Sequence, residues 1–226
     1  MRPDHARIWT VKPAGVEEDR WRDLVVLLDE AESARAGRFK FEADHRAYVL
    51  AHAMRRLLVA QALAVTPLDV IFSSEDNGKP LLLEPRGRKI FFSHSHTRDA
   101  AVCVVTPVAP VGIDIEFTAG QHVDFKLLEA FVALPDAARR STELGPDPSV
   151  QFCFYWTAVE AFWKAMGKGL SSNHPRIRCR KTASGLFDIV WEASGPEIEP
   201  IARLVPVRAP EGAVCAAIFI IPPRAI

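Results

Sequence analysis

Long hydrophobic runs are missing from this chain of 226 residues. Although 49% of it is hydrophobic, no stretch is long enough to cross a membrane. Membranes are therefore not an expected partner. The opening residues, Met1 to Val11, carry charges and proline where a signal peptide has an apolar core, so a cytoplasmic location is expected. Cysteine is sparse: Cys103, Cys153, Cys179 and Cys215 stand far apart, with no Cys-x-x-Cys. That argues against a disulfide framework or a thiolate metal cluster, and the four read as reduced, mostly core thiols. No charge of one sign dominates either, since 28 Lys and Arg meet 28 Asp and Glu. A general nucleic-acid binder needs a basic excess for phosphate contacts, so nucleic acid is not expected.

What is present reads as helices and strands in both halves, hence α+β. Helices are expected at Asp29 to Ala36, Asp44 to Leu63, Phe125 to Leu134 and Val150 to Met166. The second carries an apolar stripe of Ala47, Leu50, Ala51, Met54, Leu57 and Leu58. Ser149 is the expected N-cap of the last. Strands are expected at Val70 to Ser73, Leu81 to Leu83, Ile90 to Ser93, Ala101 to Thr106 and Val111 to Glu116. Four more follow at Arg176 to Cys179, Leu186 to Trp191, Arg203 to Val207 and Val214 to Ile221. Asn77-Gly78 marks a hairpin turn. The tripeptide Ala101-Val102-Cys103 recurs as Ala213-Val214-Cys215, 112 positions later.

Val111-Gly112-Ile113-Asp114-Ile115-Glu116 carries two acids in an apolar strand. At i and i+2 they share one face. Downstream, Glu160 and Lys164 share a helix face at i and i+4. Each piece alone has a plain explanation, a half-exposed strand face or a solvated helix pair. Together they offer three carboxylates and one amine, a donor set suited to Mg²⁺ with sites left open for water and phosphate.

The same residues carry a resemblance. Gly-Ile-Asp-Ile-Glu, then Trp-Thr-x-x-Glu-Ala-x-x-Lys-x-x-Gly-x-Gly-Leu ending at Leu170, resembles the 4′-phosphopantetheinyl transferases, in the larger, surfactin-synthetase-activating type. Gly78-Lys79-Pro80, Ser93-His94-Ser95 and, more loosely, Arg38-Phe39 with Asp44 and Arg46 match in the family's order. The resemblance implies two similar α+β halves about a pseudo-two-fold axis, residues 1–108 binding the coenzyme A nucleotide and 109–226 carrying the metal, with the active site in the cleft between them. It implies transfer of phosphopantetheine from coenzyme A to a serine of an apo acyl or peptidyl carrier protein, with adenosine 3′,5′-bisphosphate released. Asp114, Glu116 and Glu160 would hold Mg²⁺, or Mn²⁺ in its place. Glu160 and Lys164 would be catalytic. Arg46, Lys79, Ser93 and His94 would contact coenzyme A, with Arg35 and Arg38 as further phosphate charge. A monomer is expected, because two halves in one chain supply what shorter relatives build between subunits.

Two departures stand out. The family's arginine in the helix after the metal strand is absent from Leu128 to Asp136, and Ala47 replaces a threonine. Leu170 is a candidate for an apolar groove that takes the carrier's helix. Two other functions use the same acids: a metal-dependent phosphodiesterase with water as nucleophile, and a carrier-binding module without activity. The phosphodiesterase leaves the Gly-Lys-Pro and Ser-His-Ser segments unexplained. The inactive module leaves the retained Asp114, Glu116, Glu160 and Lys164 unexplained.

Overall fold

The computed structural model describes residues 5–74, 79–133, 145–171, 173–184, 186–192 and 201–221. The chain divides into two compact units, Met1–Val108 and Ala109–Ile226. Each has its own hydrophobic core.

Unit 1 runs through β1 (Arg7–Val11), α1 (Arg20–Val25), α2 (Glu30–Ala36), α3 (Glu42–Leu63), β2 (Ile71–Ser74), β3 (Pro80–Glu84), β4 (Phe91–Thr97) and β5 (Ala100–Thr106). Unit 2 runs through β6 (Val111–Phe117), α4 (Phe125–Glu129), α5 (Pro148–Met166), β7 (Ile177–Lys181), β8 (Phe187–Trp191), β9 (Ala202–Pro206) and β10 (Ala213–Ile220). The mixture of long helices and antiparallel sheets is the expected α+β class.

Each unit traces a similar path: a strand, helices ending in a long one, a hairpin, then two strands. In unit 1 β5 lies between β1 and β4; in unit 2 β10 lies between β6 and β9. The Ala-Val-Cys echo falls on these two middle strands. Cys103 pairs with Trp9 and Cys215 with Ile115. Aligned on the echo, Asp114 and Glu116 stand where unit 1 has Ile8 and Thr10. The acidic pair belongs to unit 2 alone. The hairpins differ, β2–β3 forming its own two-stranded sheet and β7–β8 extending the sheet beyond β9.

Local chemistry sets the helix ends. Asp29 caps α2 through a capping box, accepting from the Glu32 backbone N–H while the Glu32 carboxylate accepts from its own. Helix α3 ends with Ala64 in the left-handed region, φ 56°. Helix α5 starts earlier than expected: Asp147 is its N-cap, accepting from Ser149 N–H at 2.8 Å, and Pro148 is the first helical residue. Proline fits there because its fixed φ suits the first turn and no helical partner awaits its missing N–H. Gly167 closes α5 at φ 69°.

Other expectations change. Helix α4 stops at Glu129 because the chain turns into pairing with β7: Ile177 N–H donates to Phe131 O, and Ala133 N–H to Ile177 O. Strand β4 continues to Thr97, four residues beyond the expected end, so His94 and His96 become strand residues on one face. Strand β1 and helix α1 were not anticipated. On α3, Ala47, Leu50, Ala51 and Met54 are buried as expected, but Leu57 is exposed and Arg55 and Arg56 are buried instead. Their partners explain it. Arg55 bonds Glu32, and Arg56 bonds Glu32 at 3.1 Å and the Val70 carbonyl. The Asn77-Gly78 turn, Leu134 and Pro135 lie outside the described residues.

Candidate functional site

Helix α5 packs on β6 and β10, and one position governs how closely. A Cβ built on Gly112 would stand 1.9 Å from the Ala161 carbonyl oxygen and 2.6 Å from the Ala165 nitrogen. No other residue fits there, because the obstruction is helix backbone. Glu160 and Lys164 immediately precede those two alanines, and Asp114 and Glu116 follow Gly112 at the strand's period of two. The glycine thus brings the acidic strand face and the Glu160–Lys164 helix face together.

The resulting cluster is tight. Lys164 Nζ donates to Asp114 Oδ1 at 2.5 Å and stands 3.5 Å from Glu160 Oε2. Asp114 is 2% exposed, whereas Glu160 and Lys164 are partly open. Burial, then the charges of Asp114 and Glu160, push the Glu116 carboxyl up to about 7. Burial and Asp114 raise Glu160 as well. For Lys164, burial works against the ammonium, but Asp114 and Glu160 outweigh it, so its pKa is raised and it stays charged. Among the described residues, no three His, Cys, Asp or Glu side chains are already disposed around a metal position. The ammonium beside Asp114 and Glu160 offsets part of the negative charge of this acidic cluster.

A stability consequence follows from Glu116. Its folded value lies above the ordinary 4.5, so folding takes up a proton between those two pH values. The stabilisation is present below about pH 4.5 and is lost as pH rises through about 7. Allowing for partial exposure, the penalty at pH 8 is about 1–2 kcal/mol. Glu116→Gln is expected to raise the melting temperature of metal-free protein at pH 8 by a few degrees and to leave it unchanged at about pH 3.5, below both values. An identical shift at both pH values would refute this account of Glu116.

Unit 1 holds a second site. A cavity of about 580 Å³ is lined by Arg35 and His94, both expected, and by Tyr48, His52, Arg55, Phe72, Pro80 and His96, with Asp29 and Glu32. Arg55 lies over the Phe72 ring at 4.2 Å and bonds Glu32. The rings make much of the wall suited to a flat ligand, and Arg35, not held by either acid of the wall in the way Arg55 is held by Glu32, offers a charge for an anionic group.

The remaining expected contacts are dispersed within unit 1. Ser93 is buried on β4 beside His94, and successive strand residues face opposite ways. Lys79 is half-buried just before β3 and next to Pro80 of the cavity wall. Arg38 lines a different cavity with Ala31, Ala34, Arg35 and Phe39. Arg46 is held by Glu18 at 2.7 Å and Glu42 at 2.7 Å, over the Trp21 ring at 5.0 Å.

Sequence reasoning missed Tyr48, His52 and Arg55. The available signal was spacing, since Tyr48, His52 and Arg55 recur at four and three residues along α3. An apolar-stripe search passes over such a row.

Residues 14–108 match the model of the 4′-phosphopantetheinyl transferase N-terminal family, and residues 110–217 that of the 4′-phosphopantetheinyl transferase superfamily. The 4′-phosphopantetheinyl transferase HetI of a Nostoc species is 32% identical over 171 residues, which cover 74% of this chain and 71% of that protein. The enzyme psf-1 of Bacillus pumilus is 30% identical over 67% of this chain and 63% of its own length. For Sfp of Bacillus subtilis the identity is 24%, over 73% of this chain and 70% of the relative. No helix among the described residues is long and apolar enough to cross a membrane. With a family model matched over most of each unit and a relative above 30% identity, the chain belongs to the 4′-phosphopantetheinyl transferase superfamily and is a transferase.

Proposed function

We propose that this protein transfers 4′-phosphopantetheine from coenzyme A to a serine of an apo acyl or peptidyl carrier protein and releases adenosine 3′,5′-bisphosphate, with Mg²⁺ as the metal. The observation that carries this is the cluster of Asp114, Glu116, Glu160 and Lys164 in a chain of this family. Its donors are all carboxylate oxygens, the hard ligands that Mg²⁺ and Mn²⁺ prefer. The elevated carboxyls of Glu116 and Glu160 mark a place where added positive charge is favourable.

In this reaction the serine Oγ bonds to the β-phosphorus of coenzyme A. The bond from that phosphorus to the bridging oxygen breaks, and its electron pair leaves on adenosine 3′,5′-bisphosphate. Asp114, Glu116 and Glu160 would hold the ion, which neutralises the pyrophosphate oxygens when bound. Glu160 is also the group assigned to take the serine proton, since a serine hydroxyl needs a base at neutral pH. Lys164, kept charged by Asp114 and Glu160, supplies a standing positive charge to the phosphate rather than a proton. Unit 1 supplies the nucleotide contacts, Arg35 and His94 from the cavity wall. Arg38, Arg46, Lys79 and Ser93 would supply further contacts to the nucleotide from unit 1. A monomeric cytoplasmic protein completes the proposal.

Intact mass spectrometry of a panel of apo carriers with the protein, coenzyme A and Mg²⁺ tests it. A phosphopantetheine mass gain that disappears with EDTA is expected. Hydrolysis of coenzyme A without carrier modification would replace the transferase by a phosphodiesterase. Coenzyme A binding without either product would replace it by a binding module.

A further inference from the structure

His52 projects from α3 into the wall of the unit 1 cavity, and no sequence motif points to it. Its ring lies on Tyr48 at 3.8 Å between centroids and 26° between planes, and meets His94 edge-on at 4.9 Å. Its orientation is set by one hydrogen bond. Nδ1 lies 2.9 Å from the Tyr48 carbonyl oxygen. A carbonyl accepts only, so Nδ1 carries the hydrogen and donates. Burial, followed by the charge of Arg55, holds the ring's pKa down to about 3, so it is neutral at physiological pH. A neutral imidazole with its hydrogen on Nδ1 has a bare lone pair on Nε2. Among the described residues, none makes a hydrogen bond to that nitrogen.

The cavity therefore combines two kinds of chemistry. Arg35 brings a positive charge that suits phosphate oxygens, while Arg55 is engaged by Glu32. The Nε2 lone pair of His52 repels such oxygens and requires a hydrogen-bond donor. We infer that His52 is a specificity-determining residue whose Nε2 accepts a hydrogen bond from a donor group on the nucleotide bound in this cavity. This rests on the coenzyme A reading for the identity of the ligand. Two groups on that nucleotide have the required chemistry, the exocyclic amine of the adenine and the 2′-hydroxyl of its ribose. An oxo group at the position of the amine would set lone pair against lone pair. Sites built around a hydrogen bond of this kind discriminate strongly, because the analogue leaves a polar atom unpaired.

Calorimetric titration of the full chain distinguishes these outcomes. The probes are adenosine 3′,5′-bisphosphate, its inosine counterpart and its 2′-deoxy counterpart. Wild type is expected to bind the adenosine form at least tenfold more tightly than one of the two analogues. Loss with inosine assigns the amine, and loss with the deoxy compound assigns the hydroxyl. His52→Phe keeps a flat ring over Tyr48 without an acceptor and is expected to bring the three affinities within about twofold. His52→Gln restores an acceptor and is expected to recover part of the preference. A wild type that binds all three alike, or a preference that survives in a folded His52→Phe protein, overturns the inference while leaving the coenzyme A reading intact. Failure of wild type to bind adenosine 3′,5′-bisphosphate or coenzyme A overturns that reading and the inference with it.

Discussion

Gly112→Ala is expected to cost unit 2 at least about 4 kcal/mol of stability, or to prevent its recovery as folded protein. An extra methyl in a well-packed core usually costs about 1–3 kcal/mol, because side chains rotate away from it. Here there is nothing to rotate. The new Cβ would stand 1.9 Å from a carbonyl oxygen, 2.6 Å from an amide nitrogen and 2.9 Å from a carbonyl carbon, all on the backbone of α5. Relief requires α5 to lift from β6, or β6 to leave β10, where Gly112 pairs with Ile218. Lifting the helix uncovers Phe162 and Ala158, which are fully buried, and carries Glu160 and Lys164 away from Asp114. Stability and the site's geometry should therefore fail together. Urea denaturation reads the first, and calorimetric titration with Mg²⁺ reads the second. A folded variant with an unchanged denaturation midpoint would show that the helix moves aside at little cost, and the close approach would lose its assigned role.

Asp114→Asn is expected to separate function from folding. The amide matches the carboxylate in shape and still accepts from Lys164, but it brings no negative charge. Carrier modification should fall about a thousandfold in kcat/KM, roughly 4 kcal/mol of transition-state stabilisation, the scale of a lost electrostatic contact in a water-poor site. Lys164 stays next to Glu160 and is partly open to water, so it retains a counter-charge. The melting temperature should stay within a few degrees of wild type. A variant with kcat/KM within tenfold of wild type would remove Asp114 from the proposed metal set. A variant that is inactive because it has unfolded would show instead that the buried Asp114–Lys164 pair is structural. The two outcomes are told apart by the melt.

Much of the candidate site was legible in the sequence because it rests on short, local patterns. Acids at i and i+2 in a strand, and Glu160 with Lys164 at i and i+4 in a helix, state which side chains share a face before any fold is known. Helix α2 was legible for the same reason, its capping box being complete within four residues. The start of α5 was misplaced by two residues because Asp147-Pro148 and Ser149 offer competing caps, and the capping bond goes to Asp147.

What the sequence by itself determined is the α+β class, the two chemistry-bearing faces and the family. What only the tertiary structure decided is who meets whom across long separations. The pairing of Lys164 with Asp114 spans 50 residues. Gly112 gained its meaning only when the backbone of α5 was seen against it. Arg55 and Arg56 are buried against expectation because Glu32, 23 and 24 residues earlier, supplies the opposite charge. The tautomer of His52 depends on a carbonyl one helical turn away. The physical reason is common to all four. Face and cap are fixed by the period of the backbone, which sequence spells out, whereas burial, pairing and proton placement depend on neighbours that only folding brings within a few ångströms.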